Sequence, residues 1–274
     1  MEVKKDVDLR LVAYKTGGTA VSIGYRELAA VLREAIQRGD YPPGATLPKQ
    51  EDLASEHGIN INTVRKTIAV LEAEGLVDSV RRRGTVVRPR PVMKRMGVER
   101  YAKSKWKFGL VAFAADREAS GREWKPGDQT NKVRQVEADA ETAEALGLET
   151  GATVYERARL VRDGETPTHT LTSYYNPVHV EGTPLVDPKP GPATPGGGFA
   201  VLTLQGFEPD HMTESVHSRM PRPEEVEELE LPAGEPVMIL TRRTFSKDGT
   251  PIEFARGVHA ASRFVWSYSF QIPE

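Results

Sequence analysis

Two stretches in the first ninety residues carry side chains that could bind a nucleic acid. The first is a helix, predicted by the spacing of its apolar residues, whose outward positions are Asn62, Thr63, Arg65, Lys66 and Ala69, all but the last of them polar. Asparagine can form paired hydrogen bonds with adenine and arginine with guanine, whereas threonine and lysine commonly contact phosphates. The second is the basic run Arg81–Arg83, which separates two short β-type runs and could enter a minor groove or hold the DNA backbone.

The elements that would position these residues follow the plan of a winged helix-turn-helix. Tyr25–Arg38 has the apolar periodicity of an amphipathic helix, and a shorter helix is expected over about 49–57. A third helix begins at Asn60 or Asn62 and runs to about residue 74, with Ile61, Val64, Ile68 and Leu71 facing inward. The β-type runs at 76–80 and 85–87 complete the predicted wing.

A second group of candidate residues lies on a predicted strand in the other half of the chain. Arg157 and Arg159 are two residues apart, so they share one face of the strand. Two guanidinium groups on one face of a sheet could hold a phosphate or a carboxylate. The alternative is that they pair with surface acids of this acidic region.

This half of the chain contains an internal repeat. A helix, a glycine turn and a β-hairpin with an Asp-Gly turn are predicted over 141–164 and again over 224–249. Two such units side by side predict an α+β domain built on one antiparallel sheet. The Pro- and Gly-rich stretch 186–198 between them is predicted to be a loop or lid.

Charge and composition limit the possible functions. The net charge is −2, yet residues 79–107 hold eleven Lys or Arg and one acid, whereas residues 108–274 hold 16 basic and 26 acidic residues. The basic stretch indicates a polyanion partner or, alternatively, a solvated linker. The absence of cysteine excludes disulfides, thiolate zinc sites and cysteine nucleophiles. Without an apolar membrane span, a secretory signal or a catalytic or metal-binding motif, we expect a cytoplasmic protein with no catalytic residue, metal or cofactor.

The first unit resembles the winged helix of the GntR family. The matching segments are Tyr25–Ile36, Gly39–Gly44, Thr46–Pro48, Leu53-Ala54, Gly58, Thr63–Arg65, Leu71–Val77 and Gly84-Thr85. The resemblance implies a dimeric, repressor-type regulator that binds an inverted repeat in double-stranded DNA. It also implies a set of DNA-contacting positions: Lys49, Gln50, Asn60, Asn62, Thr63, Arg65, Lys66, Arg81, Arg82, Arg83 and Gly84. Because Glu51 and Ile61 replace residues that are commonly arginine in the family, we expect an operator that differs from the family's commonest sequence.

The second unit is similar to the UTRA effector domain of HutC-type regulators, which has a fold related to chorismate lyase. The matching features are the repeat, Thr172–Tyr174, Arg219–Pro221 and Asp248–Phe254. The resemblance implies binding of a small metabolite, often an anion, that loosens DNA binding. The implied ligand-facing residues are Arg157, Arg159, Ser173, Glu253 and His259, whereas Leu171 occupies a position that is often glutamate.

Together these observations predict an α+β chain of four segments: a flexible tail over 1–20, a winged helix over 21–88, a basic linker over 89–100 and an effector-binding, dimerising domain over 101–274. The predicted function is a nucleoid-associated homodimeric repressor that a small, anionic effector releases from a pseudo-palindromic operator. Two alternatives remain open at this point. The second domain could serve only to dimerise or to bind a protein, or the chain could be a lyase-type enzyme.

Overall fold

The computed structural model of the chain describes residues 23–88, 93–107, 111–269 and 271–272. The chain divides into two compact units, the first of Met1–Arg90 with Pro232–Gly234 and the second of Pro91–Leu231 with Glu235–Glu274. The predicted tail over 1–20 lies outside the described residues. Among the described helices, none is long and apolar enough to cross a membrane.

The first unit has three helices followed by a two-stranded wing, as the sequence predicts. Its elements are α1 (Tyr25–Arg38), α2 (Gln50–Glu56), α3 (Ile61–Ala73), β1 (Val77–Val80) and β2 (Gly84–Val87), and β1 pairs antiparallel with β2. Helix α1 ends at Gly39, whose φ of 87° is the left-handed conformation that favours glycine. The side chain of Asn60 caps α3 by accepting a hydrogen bond from the main-chain nitrogen of Asn62, at 2.8 Å.

The core of the first unit fixes which face of α3 is exposed. Leu28, Leu53, Val64 and Leu71 are fully buried in one cluster. Thr67 is also fully buried, and its hydroxyl donates to the main-chain oxygens of Tyr25 and Thr63. The sequence predicted that Ile61 faces inward, but it is only half-buried, because it is the first residue of the helix.

The second unit is built on a six-stranded antiparallel sheet. Its elements are β3 (Met93–Met96), α4 (Lys103–Lys107), α5 (Ala112–Ala119), β4 (Gln129–Glu137), α6 (Ala140–Leu146), β5 (Thr153–Asp163), β6 (Thr166–Tyr175), α7 (Pro177–Val180), α8 (Gly197–Leu204), β7 (Pro209–Arg219), α9 (Pro223–Glu228), β8 (Val237–Ser246), β9 (Pro251–Ala260) and β10 (Phe264–Ser267). The strand order in the sheet is β4-β5-β6-β9-β8-β7, and every neighbouring pair is antiparallel.

The predicted internal repeat corresponds to the two halves of this sheet. Helix α6 precedes the hairpin β5–β6, and α9 precedes the hairpin β8–β9. Strands β6 and β9 pair with each other at the centre, so equivalent residues of the two hairpins lie at equal distances from the centre line.

The structure differs from the sequence prediction in the linker. Residues 89–92 lie outside the described residues, but Met93–Met96 form β3, which pairs in parallel with β10. Arg95 in β3 is 1% exposed and bonds to Glu214 at 2.7 Å, and Val98–Tyr101 form a turn of 3-10 helix. The basic residues that made this stretch resemble a solvated linker are therefore partly buried in ion pairs, and the second unit includes residues 93–100.

Candidate functional sites

The exposed face of α3 carries the side chains that the sequence analysis selected. Asn62, Arg65 and Lys66 are exposed and Thr63 is half-buried, because the opposite face packs into the core. The Nη1 atom of Arg65 donates to Oδ1 of Asn62 at 3.3 Å. Two side chains of the types that recognise base edges therefore lie side by side at the start of this helix.

The wing and the start of α2 carry further exposed positive charge. Arg81–Gly84 are all exposed at the turn between β1 and β2, and Lys49 is exposed at the start of α2. Arg82 has a φ of 65°, which is uncommon for a residue with a side chain, and places it at the tip of the wing. Arg83 differs from the other two arginines, since it donates to the main-chain oxygen of Gly44 at 2.7 Å and so ties the wing to the preceding loop.

Two of the remaining candidates have structural roles as well. The side-chain oxygen of Asn60 is used as the cap of α3, which leaves its amide nitrogen for other partners. Gln50 is half-buried in the first turn of α2. The surface formed by α3, Lys49 and Arg81–Gly84 is called the basic surface below.

The second unit contains a cavity of about 100 Å³ over one face of the sheet, with several times the space that one ordered water requires. Arg157 and Arg159 from β5, and Glu253 and His259 from β9, line it. Ser173 from β6 lies beside them and bonds to both Arg159 and Glu253. The five residues selected from the sequence therefore come together in one place.

Glu253 is balanced by partners within the protein. One of its oxygens, Oε1, accepts from Ser173 at 2.6 Å and from Tyr175 at 3.1 Å. The other, Oε2, accepts from Nε and Nη2 of Arg242, at 3.1 and 2.8 Å. Burial alone would raise the pKa of Glu253, but the charges of Arg242 and Arg159 hold it below its usual range. Glu253 is thus a buried carboxylate that orients its neighbours.

Arg157 and Arg159 donate to uncharged groups instead. Arg157 is 2% exposed and donates to the main-chain oxygens of Leu185 and Asp187, at 3.0 and 2.6 Å. Arg159 donates to the main-chain oxygen of Leu171 and to Ser173. Within the described residues, neither guanidinium forms an ion pair with a carboxylate. Burial, and then the neighbouring charge of Arg159, lower the pKa of Arg157 to about 10, so the site disfavours its own positive charge in the absence of an anion.

The structure adds residues that sequence reasoning missed. Arg242 lines the cavity from β8, Tyr101 donates to Glu214 at 2.6 Å and accepts from Arg242 at 3.0 Å, and Phe199 from α8 lies beside Arg242. A signal for Arg242 exists in the repeat, because Arg157 and Arg242 each lie six residues before the aspartate of their Asp-Gly turn. No comparable pattern marks Tyr101 or Phe199.

A pair of stacked histidines forms another wall of the cavity. The rings of His169 and His259 are parallel, with centroids 4.7 Å apart, and Phe264 packs edge-on against both. Burial, together with nearby positive charge, holds the pKa of each histidine well below its usual range. They are therefore neutral, flat surfaces at neutral pH. The described residues contain no group of three or more metal-binding side chains.

The ends of the Pro- and Gly-rich segment close the cavity, as expected for the predicted loop or lid. Gln129 donates to the main-chain oxygen of Gly191 at 2.8 Å, and Arg157 holds the chain at Leu185 and Asp187. Gly196 has a φ of 85°, and a side chain there would overlap the main-chain oxygen of Trp106. Glycine is therefore required where this segment approaches α4.

Comparisons with known proteins identify both units. Residues 24–87 match the bacterial regulatory proteins of the gntR family, and residues 122–265 match the UTRA domain. The chain is 53% identical, over 91% of its length and 93% of the relative's, to an uncharacterized HTH-type transcriptional regulator of Streptomyces coelicolor. It is 25% identical to the HTH-type transcriptional repressor NagR of Bacillus subtilis, over 88% of this chain and 92% of that protein. It is also 25% identical to the histidine utilization repressor of Pseudomonas putida, over 87% and 88%.

Solved structures agree with these matches. A crystal structure of a GntR-family transcriptional regulator superposes with a TM-score of 0.61 and 28% identity, covering 93% of this chain and all of the other. The structure of PhnF from Mycobacterium smegmatis has a TM-score of 0.54 at 18% identity, over 92% of this chain and all of that one, which shows a shared fold.

Proposed function

The chain belongs to the GntR family of transcriptional regulators with a UTRA domain, and from this premise we propose that it is a repressor released from its operator by a small anionic metabolite. The repressor role is supported by two relatives that are themselves named repressors. The single observation that carries the effector proposal is the buried pair Arg157 and Arg159, which lines a cavity without a carboxylate partner in the described residues.

The basic surface is the proposed DNA contact. Helix α3 enters the major groove, where Arg65 and Asn62 contact base edges, and Lys66 and Thr63 contact phosphates. Arg81 and Arg82 hold the backbone or enter the minor groove, and the remaining candidates, Lys49, Gln50, Asn60, Arg83 and Gly84, support these contacts. Two copies of the chain, joined through their second domains, bind the two halves of a pseudo-palindrome.

In the cavity, Arg157 and Arg159 hold the anionic group of the effector. Ser173 and Glu253 keep Arg159 and Arg242 in place, and His259 provides a flat apolar contact for the rest of the ligand. A ligand that releases the operator must bind the DNA-incompetent state more tightly than the competent one, by about 1–3 kcal/mol for a typical coupling.

Footprinting on the intergenic DNA that flanks the gene tests the DNA part of the proposal. The full chain should protect a pseudo-palindrome, and Arg65→Ala should require a higher protein concentration for the same protection while leaving the fold intact by circular dichroism. Protection that is absent, or that Arg65→Ala leaves unchanged, contradicts the assignment of α3 as the reading helix.

A thermal-shift screen of phosphorylated sugars and organic acids tests the effector part. A ligand that binds should raise the melting temperature of the full chain and weaken its hold on the operator. The same ligand should bind less tightly to Arg157→Ala and Arg159→Ala. If it binds both variants undiminished, or if every ligand found is cationic or wholly apolar, the two arginines do not form the anion site.

A further inference from the structure

The two hairpins of the sheet place Arg157 and Arg242 at equivalent positions. Arg157 in β5 pairs with Ser173 in β6, and Arg242 in β8 pairs with Ala255 in β9. Ser173 in turn pairs with Ala255 across the centre of the sheet. All four residues therefore lie in one row across the sheet, with the two arginines on either side of its centre line.

The same equivalence relates Leu171 to Glu253. Two residues further toward the turn of each hairpin, Arg159 pairs with Leu171, and Thr244 pairs with Glu253. The position that holds a carboxylate in the second hairpin therefore holds an aliphatic side chain in the first.

Glu253 shows what a carboxylate at this position does. It forms a two-point ion pair with Arg242. Burial alone would lower the pKa of Arg242, but the negative charge of Glu253 outweighs burial and raises it. Among the described residues, the equivalent guanidinium of Arg157 donates only to main-chain oxygens, and its pKa is lowered. Four arginines line the cavity, and one of them, Arg100, is paired with Asp116 outside the lining. The other three, Arg157, Arg159 and Arg242, face Glu253, the one carboxylate that the described residues contribute to the lining.

Leu171 leaves space for a side chain of its own size. It lines the cavity and packs over Gly257, its neighbour across β6 and β9, beside the ring of His259, so a glutamate or glutamine can take the place of the leucine. A glutamate at 171 would lie beside Arg159, its pairing partner, and would reach Arg157 as Glu253 reaches Arg242.

We propose that Leu171 determines the charge of the ligand. Because this position provides no internal counter-ion, Arg157 and Arg159 stay available for an anion, and the leucine side chain provides an apolar contact beside it. The selected ligand is thus an anionic group, a phosphate or a carboxylate, attached to a part that is apolar close to that group. This inference rests on the proposed effector site and specifies how its selectivity arises.

The test compares Leu171→Glu with Leu171→Gln, which has nearly the same size and no charge. Inorganic phosphate is titrated into the full chain at constant ionic strength, followed by tryptophan fluorescence. The chain has three tryptophans, Trp106, Trp124 and Trp266, all in the second unit, so phosphate bound at the basic surface gives no direct signal. Leu171→Glu should weaken phosphate binding by about tenfold or more, the value of one charge-assisted hydrogen bond, and Leu171→Gln by about threefold at most.

Each outcome decides the matter. Phosphate binding by Leu171→Glu that equals that of the unsubstituted chain, or equal weakening in both variants, overturns the role of Leu171 while leaving the anion site in place. An unsubstituted chain that does not respond to phosphate refutes the anion site itself. Should Leu171→Glu fail to fold, Leu171→Asp gives a second test, with Leu171→Asn as its uncharged control. Leu171→Asp should weaken phosphate binding more than Leu171→Asn does, and equal weakening contradicts the inference.

Discussion

Arg157→Met removes a guanidinium that is 2% exposed yet forms no ion pair with a carboxylate of the described residues. A pKa of about 10, against an ordinary 12.5, means that at neutral pH the charged form is less favourable in the folded than in the unfolded protein. The difference is at most about 3 kcal/mol. Methionine fills much of the same space and abolishes this penalty.

The substitution also removes two hydrogen bonds, to the main-chain oxygens of Leu185 and Asp187. Each contributes about 0.5–1.5 kcal/mol, and more when the donor is charged. The gain and the loss are of similar size, so the free energy of unfolding should change by about 1 kcal/mol or less. Stabilisation by an anion should nevertheless be lost.

Arg242→Met is the matched control, because Arg242 occupies the equivalent position in the other hairpin. Its removal leaves the buried carboxylate of Glu253 without its ion-pair partner. Breaking a buried pair in this way costs about 3–5 kcal/mol. The two variants therefore differ by several kcal/mol although the same residue type is replaced.

Urea unfolding followed by tryptophan fluorescence measures both effects, with and without phosphate. We expect Arg157→Met to unfold close to the midpoint of the unsubstituted chain and to gain no stability from phosphate, and Arg242→Met to unfold at much lower urea. If Arg157→Met is as destabilising as Arg242→Met, Arg157 is a structural residue and the reasoning from its missing counter-ion is wrong.

Three further predictions concern separate parts of the molecule. Arg65→Ala should weaken operator binding by about 1–3 kcal/mol and relax base preference, as measured by fluorescence anisotropy. In the same assay, alanine at Arg81–Arg83 should weaken binding to all duplexes alike and reduce its salt dependence. A change of sequence preference in the wing variant alone would reverse these roles. The pKa of His169 is lowered in the folded chain, so below about pH 6.5 this histidine binds a proton in the unfolded chain only. The free energy of unfolding should therefore decrease as the pH falls below about 6.5. His169→Phe, which keeps a ring in the stack, should remove up to about 1.4 kcal/mol of that loss per pH unit, as measured by urea unfolding at pH 7 and 5.5. If the free energy of unfolding falls as much between these pH values in the variant as in the unsubstituted chain, other groups cause the loss. Gly196→Ala should lower the melting temperature far more than Gly206→Ala. Both glycines have a positive φ, but only at Gly196 would the added carbon overlap a neighbouring main-chain oxygen. Equal shifts of the melting temperature would mean that the segment around Gly196 moves freely.

The sequence predicted best those features that follow from local patterns. The bounds predicted for α1, Tyr25–Arg38, are those of the structure, because an apolar stripe begins after Gly24 and Gly39 ends the helix in a left-handed conformation. The repeat predicted the two hairpins, since an Asp-Gly turn between β-type runs specifies a hairpin locally.

Features that depend on distant contacts could not be predicted in this way. Arg95 lies in a stretch whose charge pattern resembles a linker, and only its approach to Glu214, more than a hundred residues away, makes it part of a buried ion pair. The spacing of Arg157 and Arg159 predicts that they share a face. Whether either pairs directly with a carboxylate depends on what β6 and β9 bring beside them, and among the described residues neither does.

The central claim is that the chain binds a specific operator as two copies, through the basic surface of its first unit. Its most direct test is a selection of duplexes from a random library by the full chain, followed by binding of the selected duplex over a range of salt concentrations. The account predicts a pseudo-palindrome that binds two copies of the chain, with an affinity that falls steeply and linearly with the logarithm of the salt concentration. A library from which no sequence is enriched, or a selected duplex that binds one copy with an affinity indifferent to salt, would contradict it.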